Sequence, residues 1–145
     1  MAHLREIVRY KESQQMAEKA KSILVVDDNE DIRGLLSLVL QKEGYEVHAA
    51  EDGTAALQQT NEIKPDLILL DVMMPGLSGL EVLSTIRENK DKKISEVPIM
   101  MITAKSTIDD IDAAVELGAS SYIVKPFRPA NLAEKVQAIF DGEIQ

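Results

Sequence analysis

The sequence predicts an α/β domain built on a doubly wound, five-stranded parallel sheet. Three observations carry that prediction. Five short apolar runs punctuate the chain from Ser22 onward: ILVV (23–26), YEVHAA (45–50), LILL (67–70), IMMI (99–102) and YIV (122–124). Helical patterns separate and follow them, so strands and helices alternate strictly, five of each. Only YEVHAA mixes polar residues into its run; continuous apolar strands suit a parallel sheet covered on both faces.

The elements follow in order. Ile32, Leu35, Leu36, Val39 and Leu40 fall at i, i+3, i+4, i+7 and i+8, the spacing of one buried helix stripe. Lys42 in the last turn and Gly44 just beyond mark where that helix stops. Gly53 to Glu62 is a short, alanine-rich helix. Ser78-Gly79-Leu80-Glu81 reads as a capping box opening a third helix, with Leu83 and Ile86 on its inner face. Asn89 to Glu96 (NKDKKISE) reads as a charged loop. A fourth helix opens at Thr107, carries Ile108, Ile111 and Val115 as its stripe, and closes at Gly118. Pro129, a favoured first-turn residue, starts a fifth that buries Leu132, Val136, Ile139 and Phe140. Five-stranded doubly wound sheets commonly take the flavodoxin-like order 2-1-3-4-5, which puts the polar second strand at an edge.

Residues 1–21 stand apart as an N-terminal extension, helical or partly disordered. Leu4, Ile7 and Val8 share a face that Lys11 and Gln15 interrupt before it resumes at Met16, Ala17 and Ala20. Such a face suits self-association, so a homodimer is a candidate assembly. The main domain is expected over 22–141, with 142–145 as a tail.

The 145-residue chain is the size of one domain with its own core, and 45% apolar with 28% charged residues is ordinary for a globular protein. No apolar run approaches the roughly 20 residues that span a bilayer, and MAHLREIVRY is no secretory signal. A cytoplasmic protein without a membrane partner is the expectation. The absence of cysteine removes disulfides, thiolate zinc sites and cysteine nucleophiles together. Residues 1–22 carry five basic and three acidic side chains, so of the net charge of −9 the remainder carries −11. With no Trp and five other aromatics, this acidic domain lacks the basic stripe that neutralises phosphates, and no direct nucleic-acid binding is expected.

The polar residues that follow each buried strand are informative as a set. Asp27 and Asp28 follow ILVV, Asp71 follows LILL, Thr103 follows IMMI and Lys125 follows YIV. In a parallel sheet these positions share one rim, where ligands of open α/β sheets bind. The strand order reverses between the first and third strands, the two that end in aspartates. Three converging carboxylates repel one another unless a cation neutralises them, and all-oxygen ligation suits Mg²⁺. Lys125 adds a positive charge and Thr103 a hydroxyl donor. A metal, a lysine and a hydroxyl around one carboxylate make a phosphoryl-transfer site with Asp71 as nucleophile. Each residue also has a plainer reading. The Asp27-Asp28 pair could cap the first helix, Met73 and Met74 could pack or turn, and Tyr122 could be a half-buried aromatic. His3 and His48 show no metal-ligand spacing.

With these motifs the sequence resembles the receiver domain of bacterial two-component response regulators. The resemblance covers about Ser22 to Asp141 and rests on VVDDNED (25–31), LLDVMMPGLSGLEVL (69–83), MITA (101–104) and GASSYIVKPF (118–127). It implies that Asp71 accepts a phosphoryl group from a phosphohistidine on a sensor histidine kinase or histidine phosphotransfer protein. It further implies Mg²⁺ held by Asp28, Asp71 and the Met73 backbone carbonyl, and through water by Asp27. Thr103 would hydrogen-bond the phosphoryl group and Lys125 would pair with it. Tyr122 would shift when Thr103 moves inward, and the Lys125–Pro126 bond would be cis. Phosphorylation would then bias a face made of the fourth helix, fifth strand and fifth helix, Thr107 to Phe140, toward an unidentified downstream protein target. Ser120-Ser121 stands where transcription-factor receivers often carry two acids, which departs from their charged dimer face. The chain ends five residues after Phe140, as expected of a single-domain regulator or a fragment of a larger one.

Two other functions fit parts of this pattern. A Mg²⁺-dependent phosphohydrolase of the haloacid dehalogenase type would place a second aspartate where Met73 stands and add a cap insertion. A binding module that keeps the fold without being phosphorylated would not need all five site residues.

Overall fold

A computed structural model describes residues 20–104 and 108–142, leaving aside the side chains of residues 108 and 109. The extension expected over residues 1–21 therefore lies, up to residue 19, outside the described residues, as does the Thr107 helix start. The elements are β1 (Ser22–Val26), α1 (Glu30–Lys42), β2 (Glu46–Ala50), α2 (Gly53–Ile63), β3 (Leu67–Asp71) and α3 (Gly79–Arg87). Then come α4 (Lys92–Ser95), β4 (Ile99–Thr103), α5 (Ile108–Glu116), β5 (Ser121–Val124) and α6 (Pro129–Phe140). The strands form one sheet in the order β2-β1-β3-β4-β5, all parallel, as the sequence predicts.

Alternation along each strand sends successive side chains to opposite layers. On one face Leu24, Val26, Ile68 and Leu70 meet Val82 and Leu83 of α3. On the other, Ile23, Val25, Leu67 and Leu69 meet Leu36 of α1 and Leu132 of α6. Every residue of β3 and β4 is buried, whereas β2 lies at an edge with Glu46 and Ala49 exposed. Gly44 ends α1 with φ at +94°, a conformation glycine adopts without steric cost. Arg87 crosses to the neighbouring loops and donates to the carbonyls of Gly118 (2.9 Å), Ser95 (3.0 Å) and Val97 (2.6 Å).

Three elements depart from the sequence reading. The charged stretch 89–96 contains α4, which makes six helices. Asp91 caps it by accepting from the Lys93 amide, and Ile94 is buried; four residues are too few to display a period. In α5 the buried position is Ala114, while Val115 is 58% exposed. Both fit a helical spacing from Ile111, and alanine is too small to advertise the inner face. In α1, Leu35 lies at the edge of the stripe and is exposed.

Candidate functional site

The carboxyl ends of β1, β3, β4 and β5 bring Asp27, Asp28, Asp71, Thr103 and Lys125 to one rim. Register makes this unavoidable: Val26 pairs with Leu70, Asp71 with Ile102 and Thr103 with Val124. Asp27 is fully buried directly after β1. Its Oδ1 accepts from the Asn29 amide at 2.9 Å, and its carbonyl accepts from Arg33 Nη1 at 2.8 Å. Asn29 caps α1, its Oδ1 accepting from the Ile32 amide at 3.1 Å. Capping therefore does not explain the two aspartates before it. Asp28 is exposed to solvent beside its buried neighbour.

Asp71 closes β3 and is 4% exposed. Carboxylate oxygens of Asp27, Asp28 and Asp71 all lie within 4.8 Å of one another. Lys125 Nζ reaches into this group, 2.9 Å from Asp27 Oδ2 and 3.6 Å from Asp71 Oδ1. Met73 donates its amide to Asp71 Oδ1 at 3.3 Å and turns its own side chain outward. Burial first, and then the Asp27 charge, push the Asp71 pKa up to about 6. Lys125 and the Met73 amide pull against that shift, and Asp28 adds to it. A cluster of oxygen donors in which one carboxylate is disfavoured as an anion has the chemistry of a hard-cation site. These residues could hold a metal ion.

Thr103 closes β4 and is 6% exposed. Between it and Tyr122 lies a cavity of about 30 Å³, bordered also by Val72, Leu80, Ile111 and Ala114. Tyr122 is 38% exposed and held from outside by α6: Lys135 Nζ donates to its carbonyl at 3.0 Å and stands 5.2 Å from its ring centroid. Lys125–Pro126 is cis, as the resemblance implies. His48 Nε2 lies 3.2 Å from Glu46 Oε1 on the edge strand, away from this rim.

The sequence reading missed one positioning residue. Gly79 appears there only inside the capping box. A Cβ built on it would stand 2.1 Å from the Asp71 carbonyl oxygen and 2.8 Å from Val72 Cα. The helix thus starts in backbone contact with the strand end that carries Asp71, an approach only glycine permits. The available signal was a glycine at the first helical position, where nearly every other residue is the better helix former.

Comparison with known proteins agrees with this fold. The model of the response regulator receiver domain matches residues 23–137. The DNA-binding response regulator MtrA of Mycolicibacterium paratuberculosis is 43% identical over 116 residues, covering 80% of this chain and 49% of MtrA. The alkaline phosphatase synthesis transcriptional regulatory protein PhoP of Bacillus subtilis is 46% identical over 119 residues, covering 82% and 48%. The chain thus spans about half the length of these curated relatives. The chemotaxis protein CheY4 of Vibrio cholerae superposes with a TM-score of 0.78 at 33% identity, covering 83% of this chain and 98% of that one. A CheY-like receiver domain protein from Methanospirillum hungatei gives 0.79 at 28%, covering 86% and 97%.

The relatives correct one expectation, the exclusion of nucleic acid from the partners. MtrA is named as DNA-binding and PhoP as a transcriptional regulator, and both contain a segment similar to this one. Charges act over about a Debye length, roughly 8–10 Å, so the acidity of one domain does not decide what a longer protein binds. Among the described residues, no helix is long and apolar enough to cross a membrane.

Proposed function

The chain belongs to the response regulator receiver domain family, and from that premise we propose that it is a phosphorylation-dependent switch with Asp71 as the phosphoryl acceptor. The observation that carries this reading is the meeting of a buried Asp71 with Asp27, Asp28 and Lys125 at one strand rim. An Asp71 oxygen attacks the phosphorus of a phosphohistidine on a sensor kinase or phosphotransfer protein. The P–N bond breaks as the P–O bond forms, and the leaving imidazole nitrogen takes its electron pair and then a proton. Asp27, Asp28, Asp71 and the Met73 carbonyl would hold Mg²⁺, which when bound supplies positive charge to the phosphoryl oxygens. Lys125 turns from the carboxylates to the new anion, and the Thr103 hydroxyl donates to it. Catalysis is confined to forming and losing this one acyl phosphate.

Phosphorylation adds about −1.5 to −2 charge at the rim. Inward movement of Thr103 draws on the small space behind it, which Tyr122 borders, and the α5–β5–α6 face responds. MtrA and PhoP support DNA as the final target of such a signal. We take the domain to run from Ser22 to Asp141.

Incubation with Mg²⁺ and acetyl phosphate, followed by intact mass measurement, tests the acceptor. One phosphoryl group is expected on the wild type and none on Asp71→Asn. Continuous phosphate release without a stable adduct would instead favour a phosphohydrolase.

A further inference from the structure

Asp27 and Asp28 are held in different ways, although one peptide bond joins them. Asp27 has a partner at every polar atom. Its amide donates to the Ala50 carbonyl at 3.3 Å, its Oδ1 accepts from the Asn29 amide at 2.9 Å, and its Oδ2 accepts from Lys125 Nζ at 2.9 Å. Its carbonyl accepts from Arg33 Nη1 at 2.8 Å. Asp28 is exposed, and among the described residues its carboxylate takes part in no hydrogen bond or ion pair. What places the Asp28 side chain is therefore the backbone that carries it. The Asp27 carbonyl and the Asp28 amide belong to one planar unit, so a donor that fixes the carbonyl also fixes the direction in which Asp28 leaves it.

Arg33 is suited to that task. It stands in the first turns of α1, its amide donating to the Asn29 carbonyl at 3.0 Å. Helical side chains tilt toward the N-terminus of their helix, which aims this one back at the loop that precedes it. Among the described residues Arg33 forms no ion pair, even though its acceptor belongs to an aspartate. Its planar guanidinium donates in fixed directions, which orients an acceptor better than a rotating ammonium does. Resting on the Mg²⁺ site of the proposed switch, we propose that Arg33 is a positioning residue for the metal. It sets the Asp27–Asp28 peptide so that the exposed Asp28 carboxylate stands with those of Asp27 and Asp71. The need is greatest during the reaction. When Lys125 turns to the phosphoryl group, Asp27 Oδ2 loses its partner, while the Arg33 and Asn29 bonds remain.

The sign of the effect separates this role from one of charge. A cation beside a Mg²⁺ site repels the ion, so losing Arg33 for its charge alone would tighten binding. Losing a positioning group loosens it. Titration of the unphosphorylated ¹⁵N-labelled full chain with Mg²⁺, followed by amide shifts, reads the affinity, with urea midpoints measured alongside. Arg33→Met, and Arg33→Gln as a polar second variant, should bind Mg²⁺ about 10-fold more weakly, the low end for groups that orient metal ligands. Arg87→Met is the comparison, because Arg87 also donates to carbonyls, those of Ser95, Val97 and Gly118, at the opposite ends of β4 and β5. It should lower the urea midpoint and keep the wild-type Mg²⁺ affinity. Wild-type or tighter binding by both Arg33 variants overturns the positioning role. So does equal weakening in Arg87→Met, which would trace the loss to stability. A wild type that binds no Mg²⁺, or whose affinity Asp28→Asn leaves unchanged, overturns the metal site itself and this role with it.

Discussion

The two halves of the reactive rim are built differently. At the ends of β1 and β3, Asp27 is fully buried and hydrogen-bonded, and Gly79 locks the start of α3 against the Asp71 backbone. At the end of β4, Thr103 backs onto a small cavity that Tyr122 of β5, 38% exposed, also borders. The first half is closed at its backbone contact through Gly79, and the second keeps a small space beside Thr103. Phosphoryl chemistry needs the former to fix a nucleophile, and signalling needs the latter to change shape.

The largest effect on the rigid half should come from filling its closest contact. Gly79→Ala forces a methyl group onto the Asp71 carbonyl and should cost about 3 kcal/mol or more in a urea melt. Alanine at exposed Gly34, where nothing lies within 4 Å, is the control and should not destabilise. Next, Lys125→Met removes the cation that bridges Asp27 and Asp71, and should slow phosphorylation by acetyl phosphate roughly 100-fold. A rate within a few fold of wild type would remove Lys125 from the chemistry.

A smaller effect separates the carboxylate cluster from ordinary burial. The folded Asp71 pKa, about 6, stands above its usual 3.8, so ionising it costs the native state stability. Below about pH 3.8 the wild type and Asp71→Asn should be equally stable without Mg²⁺. The wild type should then fall behind as pH rises, by about 1–2 kcal/mol above pH 6, with solvent at the site mouth reducing the full linkage value. Adding Mg²⁺ should reverse the order by stabilising only the intact cluster.

This contrast also explains what the sequence made legible. The rigid half announces itself, because buried strands end on charged residues and the spacing of Asp27, Asp28 and Asp71 survives any small error in element boundaries. The order of the strands followed from alternation and one polar edge strand. Other features were harder to read. Val115 seemed buried because its spacing is helical, yet Ala114 occupies the inner position. The four residues of α4 were too short to show a period, and the role of Gly79 depends on a backbone contact across the turn rather than on its neighbours in sequence. The acidic charge was correctly read as a property of this domain but wrongly extended to exclude DNA.

Amide hydrogen exchange, compared with and without phosphorylation in the presence of Mg²⁺, tests the division of the rim most directly. Altered exchange is expected in β5, α5 and α6, with β1 and the start of α3 unchanged beyond the Asp71 turn itself. Changes concentrated in α2 and α3, with α5 to α6 unaffected, would contradict it.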